Sequence, residues 1–285
     1  MHRTFAPLSR RRSVRLGLAA GVAAVAALAL ALTGAAGKHD AVPPPPDNPT
    51  SADQIQNIDQ VKTAIKAYYG DTLTTENDPV PNDVDGGDKV LHTFSPTSAY
   101  ADELAGIVDD AEKYLRKADN SHGKKKAVLF DVDDTTLNTF SYEIYSNFVY
   151  SPTTNAYFVN AAVFPAVPHM VDLEHYAESK GYTVFFLTGR PGGPDGQRAG
   201  TEANLTGVGY DVVSDNVYLK DYASEPWLSP CAMSCTTIQY KSLTRQHIES
   251  LGYDIVANFG DQFSDLTGGF ADKTFKIPNP MYYLP

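Results

Sequence analysis

The sequence holds only two cysteines among 285 residues, too few for a disulfide scaffold or a four-thiolate zinc site. It is also short of positive charge: 23 Lys and Arg stand against 34 Asp and Glu, a formal net charge of −11. Five of the arginines (Arg3, Arg10, Arg11, Arg12 and Arg15) fall within residues 1–37, where there is no acid. Residues 38–285 therefore carry 18 basic groups against 34 acidic ones, or −16. A surface that acidic repels a phosphate backbone, which argues against duplex DNA or RNA as a partner. No repeat is sustained along the chain, and 17 Tyr with 13 Phe exclude collagen-like, coiled-coil and disordered readings for most of its length. What remains is enough chain to bury one large core or two small ones.

Charge is missing altogether between Leu16 and Gly37. The run is rich in Ala and Leu, follows Arg10, Arg11, Arg12 and Arg15, and ends in Thr33-Gly34-Ala35-Ala36. A positive start, an apolar middle and a small-residue exit make residues 1–37 an export signal, and the arginine pair beside Ser9 is a twin-arginine feature. No cysteine follows the run, so lipid attachment there is excluded. An uncleaved run could also span a bilayer of ~30 Å, so a membrane anchor stays open beside the cleaved signal and secretion. Residues 38–53, with Pro43 to Pro46 and Pro49, read as an extended linker.

Two helical patterns follow, at Ile55, Ile58, Val61 and Ile65 and at Leu104, Ile107, Ala111 and Leu115. The acidic stretch Asp71 to Asp88 between them reads as loop. From Lys126 onward, short apolar runs (Ala127–Phe130, Thr183–Leu187, Val217–Leu219, Ile255–Phe259) alternate with helical stretches (Val171 to Lys180, Arg198 to Thr206, Ser242 to Leu251). Buried runs separated by helices predict an α/β fold with a doubly wound, mainly parallel sheet. Chemistry in such sheets lies at the carboxyl ends of the strands.

Those ends are informative. Asp131-Val132-Asp133-Asp134-Thr135 follows the first run, Thr188-Gly189-Arg190 the second, and Gly260-Asp261-Gln262-Phe263-Ser264-Asp265 the last. Asp131 and Asp133 are two apart, so an extended backbone directs both to one side. Crowded carboxylates repel unless a hard cation or a proton sits among them, and oxygen-only ligands favour Mg²⁺. Each group alone reads as a helix cap or turn; their order and company point to phosphate chemistry.

The motifs LFDVDDTTLNT (129–139), VFFLTGR (184–190), YKSLTR (240–245) and NFGDQFSDL (258–266) resemble those of the haloacid dehalogenase superfamily of phosphatases. The likeness is to its secreted acid phosphatases of the class B-like type, which include the plant enzymes, and covers roughly residues 100–285. It departs from many superfamily members at Asp134, where they carry Gly. The resemblance implies a phosphatase domain over 54–285 with a small cap inserted at about 137–170. It makes Asp131 the nucleophile, Asp133 the general acid and base, and Thr188, the Gly189 amide and Lys241 the phosphate holders. Mg²⁺ would be bound by Asp131, the main-chain carbonyl of Asp133 and Asp261, with Asp265 in support. The implied activity is Mg²⁺-dependent hydrolysis of small-molecule phosphate monoesters. Transfer to an alcohol acceptor and a non-catalytic storage protein remain as alternatives.

Other residues carry less. Arg190 either touches substrate or pairs with an acid. Lys124–Lys126 read as a solvated strand start. His169 and His175, six apart, do not share a helix face as zinc ligands and read as surface residues. Tyr142, Tyr145, Phe148, Tyr150, Tyr157 and Phe158 either pack the inserted segment or stack on a leaving group. Cys231 and Cys235, alone in an exported chain, are expected to form a disulfide over a tight loop.

Overall fold

The computed structural model describes residues 48–85, 89–118, 123–194 and 196–284. The export signal over 1–37 and most of the linker over 38–53 lie outside the described residues. Among the described residues no helix is long and apolar enough to cross a membrane.

The chain enters through α1 (Ile58–Tyr69), a strand β1 (Thr72–Asn77), a short α2 (Asn82–Asp85), β2 (Val90–Thr93) and the long α3 (Ala99–Lys117). Asn57 caps α1 by accepting from the Asp59 and Gln60 amides, and Gly70 ends it at φ 64°. Gly70 also sits tight against Ser95, leaving no room for a Cβ. β1 and β2 form a separate antiparallel pair, and β1 lies where the sequence reads as loop. The reason is that β1 is Thr-rich and nearly all exposed, so it offers no alternation of apolar and polar residues.

The remainder alternates: β3 (Lys125–Phe130), α4 (Phe140–Tyr145), α5 (Pro152–Asn160), α6 (Met170–Ser179), β4 (Thr183–Pro191), α7 (Arg198–Gly207), β5 (Val217–Lys220), α8 (Thr237–Ser250), β6 (Tyr253–Gly260), α9 (Phe263–Leu266) and β7 (Lys273–Lys276). Five parallel strands make one sheet in the order β5-β4-β3-β6-β7. The chain winds outward on one side from β3 to β5, then crosses back to β6, so the order reverses beside β3. Successive residues of the central strands serve opposite faces. Val128, Phe130 and Phe186 join one apolar cluster with Leu104, Leu115 and Leu173 from α3 and α6. Ala127, Leu129, Phe185 and Leu187 join another with Tyr240 and Ile248 of α8. Both faces are thus covered, as a parallel sheet requires.

Between β3 and α6 the chain makes an excursion. It leaves and returns through paired backbone: Leu137 bridges Ala166, the Asn138 amide donates to Pro165 O (2.8 Å), and the Val167 amide donates to Thr136 O (2.9 Å). Asn204 of α7 holds the returning limb, accepting from the Phe164 amide (3.0 Å) and donating to Phe164 O (2.6 Å). Tyr142, Phe158 and Phe164 pack against one another within the excursion.

Candidate active site

The ends of β3, β4 and β6 are neighbours in the sheet, so the three acidic and hydroxyl motifs meet at one edge. The Asp131 amide extends the ladder by donating to Phe259 O (2.9 Å). Beyond it the chain turns sharply: the Thr136 and Leu137 amides both donate to Val132 O (3.0 and 2.9 Å), and the Thr136 hydroxyl donates to Asp131 O (3.2 Å). Asp134 takes this turn at φ 56°, the left-handed region that Gly enters freely and Asp enters with local hydrogen bonds. Its carboxylate accepts from the Thr139 amide (2.9 Å), the Thr139 hydroxyl (2.5 Å) and the Tyr282 hydroxyl (2.8 Å). Burial nevertheless pushes Asp134 up to about 7.

Asp131 is buried and accepts a hydrogen bond from Lys241 Nζ, which also donates to Leu187 O (2.7 Å) and pairs with Asp265 Oδ1 at 3.0 Å. Burial, with the charges of Asp265, Asp261 and Asp133, pushes Asp131 well above the usual carboxylate range, while the Lys241 ammonium pulls it back. Burial alone would lower Lys241, but Asp131 and Asp265 outweigh it and keep the ammonium charged.

Lys241 reaches this position because α8 begins earlier than its apolar pattern suggests. Thr236 and Gln239 form a reciprocal capping box that starts the helix at Thr237, not Ser242, and puts Lys241 and Arg245 one turn apart on the sheet-facing side. A disulfide joins Cys231 to Cys235 immediately before the cap, with Cα atoms 4.8 Å apart.

Asp261 follows Gly260, at which a Cβ would stand 2.4 Å from the Cβ of Asp265; only Gly lets the two motif acids come this close. Asp261 accepts from Gln262 Nε2 (2.6 Å) and Asn279 Nδ2 (2.7 Å). Burial first, then the charges of Asp265 and Asp134, pushes it up to about 8. Asp265 Oδ2 accepts from the Gln262 amide (3.0 Å). Asp131, Asp261 and Asp265 each offer an oxygen within 4.8 Å of the others, all three buried.

Asp133 faces the other way. Its carboxylate lies in the fork of Arg190, with Nη2 2.7 Å from Oδ1 and Nε within 3.2 Å of both oxygens. Arg190 therefore pairs with an acid. The Thr188 hydroxyl stands between these groups, 3.5 Å from Asp133 Oδ2. Gly189 is exposed at the lip, with no protein atom within 4 Å of where a Cβ would stand. His169 and His175 are exposed, and Lys126 donates to Ala118 O rather than forming a patch.

Sequence reasoning missed four supports. Arg245, wholly buried, donates to the carbonyls of Asp265 (2.5 Å), Thr267 (2.5 Å) and Gly269 (2.8 Å) and so fixes the loop behind the acids; burial lowers its pKa to about 10. Its four-residue spacing from Lys241 was the available signal. Asn279 and Tyr282 arrive from the C-terminal segment, whose Pro278-Asn279-Pro280 carries no periodicity to read. Glu143 of α4 is buried within reach of the Asp133 charge, and burial raises it to about 7.

A parallel sheet with four carboxylates, a lysine and a threonine at the ends of three adjacent strands defines an α/β protein of the phosphate-handling kind. The chain belongs to the HAD superfamily, subfamily IIIB (acid phosphatase), whose family model matches residues 87–285. Among curated proteins it is 33% identical over 178 residues to the stem 28 kDa glycoprotein of Glycine max, covering 61% of this chain and 66% of that one. It is 30% identical over 189 residues to acid phosphatase 1 of Solanum lycopersicum (65% and 69%). It is 28% identical over 237 residues to vegetative storage protein 1 of Arabidopsis thaliana (81% and 74%). The chain thus spans just under two thirds of the soybean glycoprotein it matches. The class C acid phosphatase from Bacillus anthracis shares the fold, with a TM-score of 0.51 at 23% identity over 64% of this chain and 80% of that one.

Proposed function

We propose that this protein is a Mg²⁺-dependent acid phosphatase that hydrolyses small phosphate monoesters outside the cytoplasm, by way of an aspartyl-phosphate on Asp131. The observation that carries the reading is the contact of Lys241 Nζ with both Asp131 and Asp265, beside Asp261. A storage protein that had abandoned turnover would have no need of a nucleophile placed against a buried ammonium.

An Asp131 oxygen attacks phosphorus, and the bond from phosphorus to the leaving oxygen breaks. Asp133 gives that oxygen its proton, then takes one from the water that cleaves the bond between Asp131 and phosphorus, releasing inorganic phosphate. Lys241 neutralises the nucleophile and the incoming phosphate, whose remaining oxygens are held by the Thr188 hydroxyl and the Gly189 amide. Arg190 fixes the direction of the Asp133 carboxylate. The buried, oxygen-only cluster suits a hard cation: Asp131, Asp261 and the Asp133 main-chain carbonyl would hold Mg²⁺, with Asp265 in support. When bound, the ion offsets the charge of a dianionic phosphate among carboxylates. Tyr150, exposed and within reach of the charges on Asp133 and Arg190, would meet the leaving group.

The export signal read from residues 1–37 and the Cys231–Cys235 disulfide both support an oxidising compartment. The test is turnover of an aryl phosphate by Asp131→Asn. Its kcat should fall at least ~10³-fold with the fold retained, and chelation should silence the wild type. Full activity of the purified variant would overturn the mechanism, and no Mg²⁺-dependent turnover by the wild type would favour the storage role.

A further inference from the structure

Away from the strand ends, α6 and the segment leading from α7 to β5 bring a second group of ligand-type side chains together. We propose that Glu174, His175 and Asp211, with Glu178 beside them, form a separate metal site that takes a transition dication such as Zn²⁺. The Glu174 side chain is 0% exposed. Neither of its carboxylate oxygens makes a hydrogen bond of acceptable geometry. Buried carboxylates in folded proteins nearly always have partners, so an orphan of this kind points to a ligand or a bound proton. Its Oε2 lies 3.5 Å from His175 Nε2, and Nε2 lies 3.9 Å from Asp211 Oδ2. One donor atom from each residue falls within 4.8 Å of the others. Two ligands bound at 2.0–2.1 Å to a tetrahedral Zn²⁺ stand about 3.3 Å apart, so the three need only a small inward adjustment.

The surroundings agree. Among the described residues no lysine or arginine forms an ion pair with Glu174, Glu178 or Asp211. Burial and then the Glu178 charge push Glu174 up to about 7, with the nearby Asp211 amide and His175 drawing it back. Glu178 is raised by burial and by the Asp211 carboxylate against it. An imidazole among carboxylates selects Zn²⁺ over Mg²⁺, which separates this site chemically from the oxygen-only cluster. His175 Nε2 now lies 3.0 Å from Gly209 O, a contact that requires a proton there; metal binding displaces that proton.

The position gives such an ion a structural consequence. Tyr210, next to Asp211, is buried and donates its hydroxyl to Thr136 O (3.0 Å) in the turn after Asp131. An ion joining α6 to Asp211 would fix the segment that supports that turn.

The site can be tested on the full chain by zinc dialysis, using Asp261→Asn to weaken the other cluster. That variant should retain one Zn²⁺ per chain at micromolar free zinc, and adding His175→Ala should weaken binding at least tenfold. Because His175 is 47% exposed, its replacement should leave both the fold and phosphate release by the otherwise wild-type enzyme intact. Co²⁺ bound to Asp261→Asn should give a visible absorption band that His175→Ala removes. Zinc binding unchanged by His175→Ala would overturn the proposal. So would the absence of bound zinc from Asp261→Asn at micromolar free zinc, which would leave Glu174 as a neutral buried acid.

Discussion

Arg190 commits its whole guanidinium to neighbours: Nε and Nη2 to Asp133, Nη1 to Thr201 Oγ1 at 3.0 Å. The head group is buried while Asp133 keeps 29% of its side chain exposed, so the arginine is the fixed member and the acid the one facing the site. Arg190→Gln should therefore leave substrate binding largely in place and misdirect the proton-transferring carboxylate. A misplacement of that size lowers kcat by about 10²-fold, with a smaller change in KM. Arg190→Lys should recover only part of the loss, because a point charge cannot reproduce the two-nitrogen fork. Steady-state kinetics on both variants decide the matter; a rise in KM at unchanged kcat would mean that Arg190 holds substrate instead. At the same scale, Asp134 shows how an acid can hold a left-handed turn. The φ of 56° demands a tolerant residue, and three donors meet the carboxylate that comes with it.

Among the elements, α7 is the one that seats the inserted excursion. Gly200 lies on its inner face, and a Cβ there would stand 2.4 Å from Val159 O and 2.8 Å from the Cα of Asn160 at the end of α5. Alanine in a helix interior ordinarily gains up to ~1 kcal/mol over glycine, but the atoms met here are backbone and cannot turn aside. Gly200→Ala should thus destabilise the protein by about 1–3 kcal/mol from overpacking, less the propensity gain. Urea unfolding measures this, and an unchanged or raised midpoint would show that α5 yields. The central elements were legible in the sequence for a related reason. β3, β4 and β6 are buried on both faces, so they appear as short, largely apolar runs that lead into motif residues. β7, Lys-Thr-Phe-Lys, buries only Phe275 well and is an edge strand, too short to stand out. The start of α8 was hidden because a capping box, not apolar spacing, sets it. In the site, Asp131, Asp261, Asp265 and Lys241 could be read because each follows a strand or sits in a motif. Asn279, Tyr282 and Glu143 reach it through tertiary packing that no local pattern encodes.

Across the whole molecule, burial has raised a set of carboxylates in one direction. Asp134, Glu143, Glu174 and Glu225 reach about 7 and Asp261 about 8, from an unfolded value near ~4. A group whose folded pKa exceeds its unfolded one binds its proton more tightly in the native state. The stability this contributes is fully present below ~4 and is lost as pH rises through 7 to 8. His247, lowered by burial, acts in the opposite sense below its ordinary value near 6.5, but it is one group against several. The metal-free protein should therefore melt at a lower temperature at pH 8 than at pH 5.5. Self-repulsion of an acidic surface has the same sign, so the separation comes from a variant. Asp261→Asn removes the carboxylate raised to about 8 and should flatten the pH dependence measurably. Mg²⁺ should stabilise the wild type more at pH 8 than at pH 5.5, because the ion needs the ionised carboxylates that folding alone disfavours. A melting temperature that rises from pH 5.5 to 8 in chelator would contradict the burial argument. A Mg²⁺ effect equal at both pH values would remove the link between these acids and the metal.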